Sequence, residues 1–406
     1  MRSVDEHLST ILEAVAPLPP YEQPLLEAVG LPICEDITAA IDLPTFDNSA
    51  MDGYACRLLD LEGASRDAPV RLPVVGESAA GQSKAYGLAP GQAVKIMTGA
   101  PLPSGADVVV PIEWTDGGRA NVTIVQEPSP RQHVRSRGED VRGGDLLLEE
   151  GTVFGPRQVA VAAATGRSVV KARPRPRVVV LSTGSELRDP GTALGFDSIY
   201  DSNSYCLAAA VRQTQAIAYR VGSVPDDPQE LTDTLSDQLV RADLVVTSGG
   251  VSKGDYDVVK DVLTRVGTVR FTEVAMQPGK PQGFGVIGED ETPIFTLPGN
   301  PVSAYISFEV FVLPAIRRMM GMLPYRRPLL RARVTSGFGS PRGRRQFVRS
   351  TFEVTAKGAE VTPIGGHGSH LLGSLSMSNS LIVVPDAETE VVKDSTVDVM
   401  VLDRDL

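Results

Sequence analysis

The spacing of apolar residues changes along this chain, and each rhythm predicts a different architecture. Near the start, Val4, Leu8, Ile11, Leu12 and Val15 recur at helical spacing. Ser3-Val4-Asp5-Glu6 fits a capping box, in which two side chains satisfy free N–H groups of the first turn. Pro17, Pro19 and Pro20 end that helix. Residues 25–42 read as a further helix or turn and then an extended segment. From about Leu43, short apolar runs at Val70–Val75, Ala93–Met97, Asp107–Ile112 and Val122–Gln126 are separated by Gly and Pro, the texture of an all-β insert. Arg131–Gly144, rich in charge and glycine, closes it. A weaker helical pattern over Gly155–Thr165 leads into Lys171-Ala172-Arg173-Pro174-Arg175-Pro176, which reads as a domain boundary.

Beyond that boundary strands and helices alternate. Arg177–Leu181, Ala218–Val224, Asp243–Thr247, Gly283–Ile287 and Ile294–Leu297 read as strands. Asn203–Thr214, Pro228–Arg241, Tyr256–Val266 and a long Val302–Met320 read as helices. Alternation of this kind predicts a parallel, doubly wound sheet with ligands beyond the carboxyl ends of its strands. After Leu323-Pro324 the helical pattern stops. Short strands at Leu329–Val334, Gln346–Val354, Glu360–Pro363, Leu381–Val384 and Thr396–Leu402 predict a small β-barrel or sandwich.

Composition narrows the function classes. The 406 residues are 42% hydrophobic and 22% charged, which is globular material long enough for several cores. A net charge of −11 argues against nucleic acid, whose phosphates are neutralised by Lys and Arg. No signal peptide or run of eighteen apolar residues occurs, so neither a membrane span nor secretion is expected, and the cytoplasm is the default address. The three cysteines are too few and too scattered for a disulfide framework or a metal clip.

Three glycine-bearing loops follow strands directly: Ser182–Glu186, Thr247–Asp255 and Leu297–Pro301. Glycine lets backbone approach a ligand closely, and N–H groups at helix starts or in nests attract anions. Any one of these loops is a turn with a cap. Three at one sheet edge favour a phosphate-bearing ligand. Glu186, Asp226, Asp227 and Asp255 recur at the same edge, and such hard oxygen ligands suit Mg²⁺ bridging to phosphate. Asp226-Asp227-Pro228 equally reads as a simple helix cap. In the β insert, Phe46–Ala55, Lys95–Pro101 and Arg137–Asp140 crowd acids, amides and glycine into what is otherwise turn chemistry. His367 and His370 lie in a glycine loop with no third metal ligand nearby in sequence, and Trp114 reads as packing.

These segments carry a specific resemblance. FDNSAMDGYA, IMTGAPLP, RGEDVRGGD, LSTGSEL, TSGGVSKGDYD, LPGNPVSA and GHGSH resemble, in family order from about residue 3 to the C-terminus, the signature segments of the molybdopterin molybdenumtransferase family. This is the MoeA family, shared with the E domain of gephyrin. The resemblance implies a multidomain α/β plus β fold with four domains. An elongated N-terminal domain would span 1–42 and 141–173, with the β insert nested at 43–140. A molybdopterin-binding α/β domain would span 174–323, and a C-terminal β domain 324–406. It further implies a homodimer whose cleft lies between the α/β domain of one subunit and the β insert of the other. The implied reaction inserts molybdenum from molybdate into adenylylated molybdopterin, with Mg²⁺-dependent release of AMP.

By the same resemblance, Asp52, Thr98 and Asp140 match functional positions of the insert, and Glu186, Asp226, Asp255, Pro298 and Pro301 match those of the α/β domain. Arg349 and Ser369 match positions near the cleft in the last domain. Glu186, Asp226 and Asp255 would hold Mg²⁺ and the pyrophosphate, as a metal that polarises a phosphoryl oxygen leaves little acid–base work to side chains. Ser248, Gly249, Gly250 and Ser252, with Pro298, Gly299, Asn300 and Pro301, would cradle the pterin phosphate, and Lys280 would bring positive charge to molybdate or phosphate. Several family members have lysine where this chain has Gln277, so either Lys280 or Arg349 would compensate or that lysine is not essential. Two other readings compete. A molybdopterin adenylyltransferase, itself a candidate partner, shares the α/β domain but lacks the insert and the C-terminal β domain. A receptor-clustering scaffold would be expected to carry a long linker and a second α/β domain, and nothing in these residues resembles either.

Overall fold

The computed structural model describes residues 1–81, 86–250 and 258–403. Contacts divide the chain into two compact units, one of 1–21, 30–34 and 171–406, the other of 22–29 and 35–170.

The first unit begins with α1 (Val4–Ala14), and its capping box is complete. Glu6 N–H donates to Ser3 Oγ at 3.1 Å and Ser3 N–H to Glu6 Oε2 at 2.8 Å. Residues 25–30 form turns rather than a helix, because Pro24 and Gly30 bracket a segment too short to nucleate one. The insert is a five-stranded sheet of β1 (Gly53–Cys56), β2 (Val70–Ser78), β3 (Ala93–Ile96), β4 (Val108–Pro111) and β5 (Asn121–Ile124), in the order β4-β1-β3-β2-β5. Tyr54, Leu72, Val108, Val110, Val122 and Ile124 fill its core. Gly53 is obligatory in β1, since a Cβ there would sit 1.9 Å from Val110 O. Helix α2 (Pro156–Ala164) follows, with Pro156 in its first turn.

The α/β part of the first unit comprises β6 (Arg177–Thr183), α3 (Asn203–Gln213), β7 (Ile217–Val224), α4 (Pro228–Leu239), β8 (Leu244–Ser248), α5 (Val258–Val266), β9 (Arg270–Glu273), β10 (Pro281–Ile287) and β11 (Thr292–Leu297). The strand order is β7-β6-β8-β11-β10-β9. The first four are parallel, and β10 and β9 extend the sheet antiparallel. The turn joining β10 to β11 is too short for a crossover, which is why this edge departs from the expected parallel pattern. Val179, Leu181, Val245 and Ile294 pack against Leu231, Leu235, Val259 and Leu263 of α4 and α5. Helix α3 covers the opposite face. Each of these buried aliphatic side chains contributes about 1.5–3 kcal/mol.

The long helix expected after β11 is three segments on one run: α6 (Pro301–Ser307), a π-helical turn (Phe308–Val312) and α7 (Leu313–Met320). Glu309 in the π turn is buried and paired with Arg327 at 2.6 Å. Helix α1 packs on this region, with the His7 ring edge-on to Phe311.

The last five long strands are β12 (Leu329–Val334), β13 (Arg345–Thr355), β14 (Gly358–Pro363), β15 (Ser380–Val384) and β16 (Thr396–Val401). They pair in the ring β13-β14-β12-β16-β15-β13, so the sheet closes on itself as a barrel. One short helix, α8 (Leu372–Ser376), interrupts what reads from sequence as pure β. Among the described residues, no helix is long and apolar enough to cross a membrane.

Candidate active site

The sheet brings three loops to one edge. Ser182 and Ser248 are register partners at the ends of β6 and β8, and Leu297 lies opposite Ser248 at the end of β11. Beyond these strand ends opens a cleft of about 800 Å³. Glu186, Asp226, Ser248, Gly249, Gly250, Gly299, Asn300 and Pro301 all line it. Pro298 is buried just behind. Ser252 and Asp255 lie outside the described residues.

The two acids read as alternatives separate cleanly. Asp227 caps α4, accepting from the N–H groups of Gln229 at 2.9 Å and Glu230 at 2.8 Å. Asp226 faces the cleft and is locked to the first loop. Its Oδ2 accepts from Ser185 N–H at 3.2 Å, while its own N–H donates to Ser185 Oγ at 3.1 Å. Among the described residues no group of three acids, cysteines or histidines stands ready to hold a metal. Glu186 and Asp226 are the two described carboxylates of the expected metal set.

The glycines act more by shape than by donation. Gly249 has φ +101° and Gly250 φ +66°. A Cβ on Gly249 would lie 2.7 Å from both Thr183 O and Thr183 Oγ1. Gly184 N–H and Gly249 N–H are spent on Val224 O at 3.1 Å and Leu297 O at 3.0 Å, so neither is offered to an anion. Asn300 stands at the N-cap of α6 without making a side-chain cap, and the residue lines the cleft. Asn203 Nδ2 donates to Gly299 O at 2.7 Å and pins the third loop.

Sequence reasoning missed Asp201 and Asn203, and named Ser182 only as the start of the first loop. Asp201 lines the cleft with 1% exposure and accepts from Ser182 Oγ at 2.8 Å. The available signal was Asp201-Ser202-Asn203-Ser204, a run of small polar residues opening α3.

A separate, smaller site involves Arg349. Its guanidinium is buried and bonded only to carbonyls, those of Gly366, Gly368 and Leu371. Burial pulls its pKa below the usual arginine value. Arg349 thereby ties down the loop that carries Ser369, whose carbonyl accepts from Val302 N–H at 3.1 Å. Gln277, Gln346, Arg349 and His367 share a cavity of about 10 Å³, the scale of one water. His367 Nδ1 pairs with Gln346 Nε2 at 3.1 Å and belongs to that polar cluster. Lys280 does not join either site. Its ammonium pairs with Glu273 at 3.0 Å, and the cation that shares the small cavity with Gln277 among the described residues is Arg349.

In the other unit Asp52 accepts from Thr98 N–H at 2.7 Å and Thr98 Oγ1 at 2.8 Å. Ser49 N–H donates to Ala100 O and Gly99 N–H to Ser49 O, so the two segments carrying this pair are bonded to each other. Asp140 is exposed, and its N–H donates to Leu43 O at 3.1 Å. Arg137 in the same turn reaches Asp42 Oδ2 at 2.5 Å through Nε, and its N–H donates to Asp47 Oδ1 at 2.8 Å.

A sheet whose strand-end loops, glycines and acids converge on one cleft defines the class: an α/β enzyme that takes its ligand at the carboxyl edge of a doubly wound sheet. Residues 2–166 match the family model for the MoeA N-terminal region, domains I and II. Residues 179–318 match a probable molybdopterin binding domain, and 331–402 the MoeA C-terminal region, domain IV. The chain belongs to the MoeA family of molybdopterin molybdenumtransferases. It is 45% identical to molybdopterin molybdenumtransferase 2 of Mycobacterium tuberculosis over 96% of this chain and 97% of that one. It is 37% identical to the molybdopterin molybdenumtransferase of Haemophilus influenzae over 98% of each. The crystal structure of the molybdopterin biosynthesis MoeA protein from Pyrococcus horikoshii superposes with a TM-score of 0.83, at 31% identity over 99% of each chain.

Proposed function

We propose that this enzyme transfers molybdenum from molybdate to the dithiolene of adenylylated molybdopterin and releases AMP in a Mg²⁺-dependent step. The observation that carries this reading is the convergence of Glu186, Asp226 and the Gly249-Gly250 turn on one large cleft at the strand ends. Mg²⁺ takes one or two carboxylates and completes its shell with water and substrate phosphate, so the Glu186 and Asp226 pair fits it. Bound there, the ion would neutralise and polarise the pyrophosphate.

The chain's own part is positioning. Ser185 holds the Asp226 carboxylate in one orientation. The missing side chain at Gly249 lets the second loop lie against Thr183, where a Cβ would come within 2.7 Å of Thr183 O. Asn203 fixes Gly299 so that Asn300 faces the ligand. Arg349, held by the carbonyls of Gly366, Gly368 and Leu371, would supply positive charge for an oxyanion such as molybdate. In this reading Asp52, Thr98 and Asp140 complete the cleft from a second copy in a homodimer, and a molybdopterin adenylyltransferase delivers the substrate. The test is incubation with adenylylated molybdopterin, molybdate and Mg²⁺. AMP release and cofactor formation are expected, and absence of AMP release by folded protein overturns the reading.

A further inference from the structure

The cleft wall contains a chain of hydroxyls whose proton direction is fixed by its far end. Arg220 Nη1 donates to Ser204 Oγ at 3.0 Å. A guanidinium only donates, so the Ser204 proton is free for Asp201, and Ser204 Oγ does contact Asp201 Oδ2. Asp201 Oδ1 also takes Ser204 N–H at 3.0 Å and Ser182 Oγ at 2.8 Å. Arg220 Nη1 also lies 3.8 Å from Asp201 Oδ2, and a carboxylate paired with a guanidinium accepts and does not donate, so Ser182 gives its single proton to Asp201. Ser182 Oγ and Ser248 Oγ are 3.0 Å apart. With the Ser182 proton committed, Ser248 must be the donor in that contact. Ser248 is 2% exposed and lines the cleft, so within the contacts of the described residues its oxygen has only lone pairs left for a ligand.

We infer that Ser248 meets the ligand as an acceptor only, and reads an amino N–H on the ligand's planar heterocycle rather than a phosphate oxygen. This rests on the proposed substrate, which carries two such groups, the pterin amine and the adenine amine. A phosphate oxygen placed against Ser248 would set lone pair against lone pair. Mg²⁺ is better served by the carboxylates of Glu186 and Asp226. Asp201 and Ser182 are positioning residues, acting through Ser248. The assignment reverses the expectation that Ser248 helps cradle phosphate.

The test compares analogues that exchange the amine for a carbonyl. One pair is 6-hydroxymethylpterin against 6-hydroxymethyllumazine, and the other is AMP against inosine monophosphate. Affinities are measured by calorimetry on wild type, Ser248→Ala and Ser182→Ala, with thermal melts to confirm folding. Wild type is expected to prefer the amino member of one pair on the order of tenfold, and that pair identifies the ring that is read. Ser248→Ala is expected to erase the preference and leave inorganic phosphate and Mg²⁺ binding unchanged. Ser182→Ala frees the Ser248 proton, so the preference should shrink or invert. Should Ser182→Ala fail to fold, Ser248→Ala still decides. Equal affinity within both pairs, no binding of any of the four probes, or loss of phosphate or Mg²⁺ binding in Ser248→Ala would each overturn the inference. AMP release from the full substrate is scored separately, so its failure points to the proposed function and not to this assignment.

Discussion

Asp52 takes both hydrogen bonds that Thr98 can give it, one from the backbone N–H and one from the hydroxyl. The backbone bond first, then the hydroxyl and the nearby Lys95 charge, hold the Asp52 carboxyl below its ordinary pKa. A depressed carboxylate stays charged at neutral pH and loses its interactions only as pH falls through the folded-state value. Thr98→Val keeps the shape and the N–H bond, so AMP release should fall less than with Asp52→Ala. Both variants should melt near wild type, since the pair is exposed. Equal losses in the two variants would mean that the hydroxyl, rather than the charge, matters.

Glu186 and Asp226 differ in what surrounds them, and this separates their variants. Asp226→Asn retains an oxygen for Ser185 N–H but loses charge. Glu186→Gln and Asp226→Asn should each raise the Mg²⁺ concentration needed for half-maximal AMP release by tenfold or more, on the order expected for a lost metal ligand. A Mg²⁺ titration of AMP release checks this. An unchanged half-point with lowered maximal rate would place the acids off the metal.

Gly249→Ala should cost stability as well as activity. The added methyl meets Thr183 O and Oγ1 at 2.7 Å in a backbone conformation with φ +101°. Strain of this kind costs about 1–3 kcal/mol. Urea unfolding should show that loss, whereas Gly143→Ala, on an exposed turn with no close neighbour to a Cβ, should not.

His7 predicts an acid-sensitive window. Burial, with a smaller push from Arg2, lowers its pKa from 6.5 to about 4, and its Nδ1 has no partner among the described residues. The unfolded chain therefore binds a proton that the folded chain refuses. Stability contributed by the neutral ring is complete above the unfolded value and is lost as pH falls from 6.5 towards 4, by about 3 kcal/mol in total. His7→Leu should flatten the urea-midpoint profile across that window. A profile identical to wild type would show that other groups set the slope.

The parts legible from sequence were those with a local signature. Ser3 and Glu6 announce their helix by spacing, and the apolar runs of β6, β8 and β11 announce a buried sheet. The insert and the barrel strands were legible for the same reason. What stayed hidden depends on residues distant in sequence. Ser182 and Ser248 become partners only through strand register, and Asp201 reaches Ser182 only because α3 starts beside that strand end. Asp226 and Asp227 are identical by composition, and the N–H groups of α4 decide which becomes a cap. Lys280 looked available because Glu273 is seven residues away on the neighbouring antiparallel strand. The π turn left no trace in a pattern that reads as one helix.

That turn has a further consequence. Adding one residue to a helical turn advances everything after it by about 100°. The segment from Pro301 to Met320 thus behaves as two helices on one axis, each with its own azimuth. The Pro301 half is free to aim at the ligand while the Met320 half aims at α1, and a substitution that rotates one need not disturb the other. Deleting a single residue between 308 and 312 would merge the two phases and force one half off its target.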